Sequence, residues 1–108
     1  MMLLGRSHMI VLMFHGLQER NCSSPFDTSA RMFKDYLEIV TEMRSMGDGS
    51  QAMITFDDGN ASDVELALRE LVAHDIRATF FIVPSLVGTE GYLTWDDVVL
   101  LKVYGMTI

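Results

Sequence analysis

Short continuous apolar runs alternate along this chain with segments in which apolar residues recur every three or four positions. The runs at residues 9–14 and 52–56 are typical of strands buried on both faces of a parallel sheet. Residues 77–83 are rich in β-branched and aromatic side chains, which predicts a third strand. Residues 106–108 are typical of the start of a fourth strand.

Helical periodicity fills the intervals between these runs. Thr28 or Ser29 can cap a first helix. Ser62 begins a Ser-x-x-Glu capping box for a second helix, and Thr94 with Asp97 can open a third. The apolar faces predicted from the spacing are Phe33, Tyr36, Leu37, Val40 and Met43 in the first helix, and Val64, Ala67, Leu68, Leu71 and Val72 in the second.

The regular order of strand and helix predicts an α/β fold built from βαβ units, with parallel strands and right-handed crossovers. A polar loop is expected over residues 16–27. With 108 residues, 49% of them hydrophobic, the sequence provides one small domain. We assign it to residues 9–108 and interpret residues 1–8 as an N-terminal extension or tag remnant. Because the last predicted strand has no covering helix, we expect the domain to be truncated.

Charge and composition disfavour several partners. A net charge of -7 disfavours nucleic acid, which requires a basic surface, and also an anionic membrane surface. No run approaches the roughly 20 apolar residues of a membrane span, and no secretory signal is seen. The compartment is therefore left open, with the cytoplasm as the default, and the oligomeric state is not predicted.

The pentad Thr55-Phe56-Asp57-Asp58-Gly59 places two adjacent acids at the end of the second strand, on the turn into a helix. In open α/β sheets and barrels this is the edge where ligands bind. Two ionised acids repel each other, so such a pair is typical of solvent or of a site where a cation or a proton offsets the repulsion. Asp-Asp-Gly is also ordinary turn chemistry, so the pattern alone leaves a plain turn open.

Several segments together resemble one family, the NodB-type polysaccharide deacetylases of carbohydrate esterase family 4. Residues 54–59 resemble its first motif, and residues 78–83 resemble its Ala-Thr-Phe-Phe strand. Phe14-His15 resembles the aromatic–histidine pair that ends the first strand of the family. Further similar positions are Phe33, Leu37, Gly47, Leu93, Thr94, Trp95 and Gly105.

The resemblance implies a parallel-stranded portion of a distorted, incomplete (β/α) barrel that hydrolyses N-acetyl groups on a carbohydrate polymer. It implies that Asp57 is the general base and Asp58 the aspartate that binds a divalent metal. Zinc is the expected metal, with cobalt or nickel as alternatives, and no organic cofactor is expected. Gly59 and His15 are expected to line the pocket, and a purely structural role for His15 stays equally open.

The sequence also departs from this family. The two histidine ligands of the family follow its fourth strand as His-x-x-x-His, and these 108 residues contain no such pair. The later arginine, aspartate and histidine motifs, which include the general acid, are absent too. We therefore expect a truncated deacetylase that is inactive as this chain.

Three other functions are alternatives to a truncated deacetylase. A related amide hydrolase of a small molecule and a non-catalytic fragment that assembles with a second chain both stay open. A phospho-acceptor domain is disfavoured, because its acid pair follows the first strand and it needs a lysine after a later strand, whereas Lys102 falls in a predicted helix.

The remaining candidate residues have ordinary structural interpretations. His8 and His74 are predicted on the surface, and Cys22 is predicted in a polar loop. Trp95 is predicted to pack at the start of its helix rather than to stack on a sugar.

Overall fold

The computed structural model describes residues 2–4, 9–19, 27–46 and 51–108. Its strands and helices, in chain order, are β1 (Met2–Leu4), β2 (Met9–Phe14), β3 (Gly16–Gln18), β4 (Asp27–Ser29), α1 (Ala30–Met46), β5 (Gln51–Phe56), α2 (Leu68–Ala73), β6 (Thr79–Phe80) and α3 (Trp95–Val103). A π-helical turn (Asp63–Ala67) leads into α2, and a 3₁₀ turn (Pro84–Leu86) follows β6.

The main sheet has the order β1-β2-β5-β6. Strands β2, β5 and β6 are parallel, and Thr107 extends the parallel arrangement through a bridge to Thr79. Strand β1 pairs antiparallel with β2. The predicted α/β fold with parallel strands is therefore confirmed, whereas the assignment of residues 1–8 as a tag remnant stays a prediction.

Aromatic side chains occupy the face of the sheet that α1 covers. The rings of Phe14 and Phe56 stack at 5.4 Å, and those of Phe56 and Phe80 stack at 4.8 Å. Phe33 of α1 meets Phe14 edge-on, with ring centroids 5.0 Å apart. Because Phe14 and Phe56 are register partners in β2 and β5, this row of rings fixes the strands just before the candidate site.

The first helix follows its sequence pattern closely. The hydroxyl of Ser29 accepts a hydrogen bond from the amide of Met32 at 3.1 Å, so Ser29 supplies the helix start. Phe33, Leu37 and Val40 are buried, as the spacing predicts. This helix therefore holds the outer side of the sheet through one continuous apolar stripe.

The segment around α2 departs from the prediction. Ser62 makes no capping hydrogen bond, so the capping box predicted there is wrong. The helix instead begins with a π-helical turn, which contains more residues per turn than an α-helix and shifts the buried positions. Asp63 and Leu66 are consequently buried, while Val72 is exposed against expectation.

Other local predictions are resolved individually. Residues 16–27 are not wholly loop, because β3 and β4 form a small parallel sheet. The third strand is shorter than predicted and comprises only Thr79–Phe80. Trp95 is 58% exposed, so its predicted packing is wrong; Val98 and Leu101 form the buried face of α3. Within the described residues no helix has the length and apolar character needed to cross a bilayer.

Candidate active site

The acid pair lies where β5 ends. The amide of Asp57 donates to the carbonyl of Phe14 at 2.9 Å, which extends the pairing of β2 and β5 by one residue. Asp58 then has φ +75° and Gly59 has φ +68°, so the chain turns through two consecutive left-handed residues. Non-glycine residues are uncommon in this region, although aspartate adopts it more readily than most, and Asp75 at the end of α2 is also left-handed. The turn presents the two carboxyl groups at the carboxyl edge of the sheet.

His15 faces this turn from the neighbouring strand. Its Nε2 atom lies 3.6 Å from Oδ2 of Asp57, and the two side chains are 41% and 28% exposed. The structure therefore brings together two of the predicted site residues, at a distance suited to an ion pair when the imidazole is protonated. Both side chains remain open to solvent, and a small substrate could reach them.

Two hydrogen bonds from side chains join the loops on which these residues lie. The side-chain amide of Asn60 donates to the carbonyl of His15 at 2.6 Å. The hydroxyl of Ser62 accepts from the amide of Leu17 at 3.0 Å. No role is predicted for Asn60 from the sequence and only a cap for Ser62, because their hydrogen-bond partners lie in a distant segment.

A third loop meets the same edge of the sheet. Asn60 forms an isolated antiparallel bridge with Tyr92. The amide of Ala61 donates to the carbonyl of Gly91 at 2.9 Å, and the amide of Leu93 donates to the carbonyl of Gly59 at 2.9 Å. The segments after β2, β5 and β6 are therefore joined around the acid pair, as expected for a site at the carboxyl ends of parallel strands.

A third acid is buried beside the pair. Asp63 is fully buried, and neither of its carboxyl oxygens has a hydrogen-bond partner among the described residues. Burial, followed by the negative charges of Asp58 and Asp57, raises the pKa of Asp63 to about 8. Asp63 is therefore neutral at pH 7. The sequence pattern did not indicate this residue, because it lay inside the capping box predicted at Ser62.

The acids fit one part of a metal site. The charges of Asp57 and Asp58 are strong enough at Asp63 to disfavour a third charge, and a divalent cation would offset the same repulsion. Asp58 is exposed at this edge of the sheet. Across the described parts of the chain, however, no three His, Cys, Asp or Glu side chains form a group that could hold a metal ion. The described carboxylates do not amount to a complete ligand set.

Of the other histidines and the cysteine, the structure describes only His74. His74 is partly buried at the end of α2, where its Nδ1 lies 3.9 Å from Oε2 of Glu70, so it is less exposed than predicted. His8 and Cys22 lie outside the described residues, and their predictions stay untested.

Comparison with known families gives this geometry a context. Residues 44–108, more than half of the chain, match the family described as polysaccharide deacetylase. The chain belongs to the polysaccharide deacetylase family. The resemblance inferred from the residues is therefore confirmed, and the match includes the acid pair, Asp63 and the strand at Thr79–Phe80. No curated protein matches the sequence.

Solved structures confirm the portion of a distorted (β/α) barrel. IcaB from Ammonifex degensii is 26% identical, with a TM-score of 0.72 over 93% of this chain and 50% of its own. The deacetylase PplD of Streptococcus pyogenes, solved in complex with acetate, is 18% identical, with a TM-score of 0.78 over 92% of this chain and 54% of its own. A de-N-acetylase from Aggregatibacter actinomycetemcomitans is 18% identical, with a TM-score of 0.74 over 93% of this chain and 52% of its own. The chain thus spans about half the length of these relatives.

Proposed function

We propose that these residues form part of a metal-dependent hydrolase that removes N-acetyl groups from a carbohydrate polymer. The observation that carries the proposal is the acid pair at the end of β5, with His15 3.6 Å from Asp57. Family membership supports hydrolysis of an amide, and the turn through Asp58 and Gly59 presents both acids at the carboxyl edge of the sheet.

In this proposal Asp57 removes a proton from the attacking water. Its carboxyl group is partly exposed, so it can accept a hydrogen bond from a water molecule. His15 contacts the same carboxyl group, with its Nε2 atom 3.6 Å from Oδ2 of Asp57. Asn60 and Ser62 hold the two loops together while the substrate binds.

Asp58 would hold the metal, and zinc is the metal we propose, with cobalt or nickel as alternatives. When bound there, a divalent cation would polarise the acyl oxygen and make water more acidic. Asp58 and its neighbours do not complete a ligand set within the described residues. We therefore propose that these 108 residues alone do not catalyse the reaction.

The proposal can be tested with a chimera. Residues 1–108 would replace the matching half of IcaB from Ammonifex degensii, and acetate release from N-acetylglucosamine oligomers would be measured with zinc, with cobalt and with EDTA. We expect release with metal that falls at least a hundredfold in Asp57→Asn, and none from residues 1–108 alone. A folded, zinc-loaded chimera that retains full activity with Asp57→Asn would contradict the proposal.

A second candidate, a fragment that assembles with another chain, is favoured by one observation. Met13, Met53 and Phe81 lie on the sheet face opposite the phenylalanine row and are 50%, 46% and 57% exposed. Parallel sheets are normally covered on both faces. Light scattering after size exclusion would detect self-association of the chain, and a monomer at all concentrations would exclude a homodimer through this face.

A further inference from the structure

Asn60 lies where all three loops of the candidate site meet. Its backbone bridges to Tyr92, and its side-chain amide reaches the carbonyl of His15 at 2.6 Å. A carbonyl oxygen can only accept, so the amide nitrogen must point toward it. One residue therefore ties the loop of the acid pair to the loop of the histidine.

The location of this hydrogen bond within the chain is informative. The carbonyl that Asn60 holds belongs to His15 itself, the first residue after β2 ends at Phe14. One residue before His15, the carbonyl of Phe14 accepts from the amide of Asp57, and two residues after His15, the amide of Leu17 donates to the hydroxyl of Ser62. The backbone of His15 is thus fixed from both sides, and its side chain is directed to Asp57.

We propose that Asn60 is a positioning residue, which holds the His15 backbone so that the imidazole stays against the carboxyl group of Asp57. Only the catalytic importance of this role rests on the proposed function. The His15–Asp57 contact is present whether or not the chain hydrolyses an amide. In this role Asn60 acts through His15.

The test is a set of double-mutant cycles measured by urea unfolding of the 108-residue chain at one pH. His15→Ala, Asp57→Ala and the double variant give the interaction between the two side chains. The same cycle is then repeated in an Asn60→Ala background. We expect the His15–Asp57 interaction to be measurable in the parent chain. In the Asn60→Ala background we expect it to be lost, so that the effects of His15→Ala and Asp57→Ala become additive.

Ser62→Ala provides the matched control. It removes a neighbouring hydrogen bond between the same two loops but leaves the carbonyl of His15 held. We expect Ser62→Ala to lower the free energy of unfolding while the His15–Asp57 interaction is retained. If Asn60 had only a structural role, Asn60→Ala would also lower the free energy of unfolding and retain the His15–Asp57 interaction. The comparison therefore separates the two roles.

Asn60→Asp keeps the size of the side chain but removes the donor, and it replaces Asn60→Ala if the latter does not fold. An undiminished interaction in either background would overturn the proposal, as would an equal loss in Ser62→Ala or no interaction in the parent chain. Hydrolysis is not measured in any of these cycles. Failure of the deacetylase proposal would therefore leave this result unchanged, and the reverse is also true.

Discussion

Nε2 of His15 and Oδ2 of Asp57 lie 3.6 Å apart, at the ends of two adjacent parallel strands. The register explains the contact, since Phe14 pairs with Phe56 and the next residues of both strands therefore emerge side by side. The stacked phenylalanine rings under this pair keep the register from slipping. Packing on the helix-covered face of the sheet thus determines which polar groups meet at its carboxyl edge.

Replacing the buried acid should change how stability depends on pH. The pKa of Asp63 is raised from 3.8 to about 8, so the folded state retains a proton that the unfolded state loses. The contribution of this retained proton to the free energy of unfolding is fully present below pH 3.8 and is lost as the pH rises to about 8. The loss amounts to up to about 1.4 kcal/mol per pH unit. We expect Asp63→Asn, which stays neutral, to become increasingly more stable than the parent over this range.

Urea unfolding of both proteins at pH 5, 7 and 9 would measure the difference. Asp96→Asn is the control, because it makes the same chemical change at an exposed position in the first turn of α3. A constant difference between Asp63→Asn and the parent at all three pH values would show that Asp63 is not a neutral buried acid.

Removing the ring of Phe56 should destabilise the fold strongly. Phe56 is fully buried and stacks on both Phe14 and Phe80. We expect Phe56→Leu to lower the free energy of unfolding by about 1–2 kcal/mol and Phe56→Ala by about 3–5 kcal/mol. Phe81→Leu is a control on an exposed ring of the same type, and its cost should stay within about 0.5 kcal/mol. Equal costs at positions 56 and 81, read from denaturant midpoints, would refute this packing.

The sequence correctly predicts the apolar stripe of α1 and the place of the acid pair after β5, but not the contacts between elements. The stripe of Phe33, Leu37 and Val40 follows from helical period, and the position of the acid pair follows from its place after an apolar run. The hydrogen bonds of Asn60 and Ser62 were not predicted, because their partners at His15 and Leu17 are set by strand register. Local signals cannot specify such a partner.

The departures around α2 have a similar origin. A strict 3.6-residue period cannot anticipate a π-helical turn, so the buried position of Asp63 was missed. Strand β1 and the small sheet of β3 and β4 comprise strands of three residues each, which are too short to show a period. The family resemblance covered the acid motif but gave no information on these details.

The start of α3 tests a prediction that the structure confirms. The hydroxyl of Thr94 accepts from the amide of Asp97 at 3.1 Å, and the carboxyl group of Asp97 accepts from the amide of Thr94 at 2.9 Å. We expect Thr94→Ala to lower the free energy of unfolding by about 1 kcal/mol, because it leaves a helix amide without this partner. Thr94→Ser retains the hydroxyl and should recover most of the loss in thermal melts. No recovery by serine would indicate that the methyl group, and not the cap, provides the stability.

The left-handed backbone of Asp58 should make glycine more stable than alanine at this position. At φ +75° a side chain with a Cβ atom is strained, whereas glycine adopts this conformation freely. Asp58→Gly and Asp58→Ala both remove the carboxyl group and its repulsion with Asp57, so their difference isolates the backbone. We expect Asp58→Gly to be more stable than Asp58→Ala by about 1 kcal/mol in urea unfolding.

Asp96→Gly and Asp96→Ala give the opposite control, because Asp96 lies in α3, where glycine should be less stable than alanine by about 1 kcal/mol. The same order at both positions would show that Asp58 is not strained. The expected reversal would show that the left-handed backbone at position 58 disfavours a Cβ atom, whereas the helical backbone at position 96 does not.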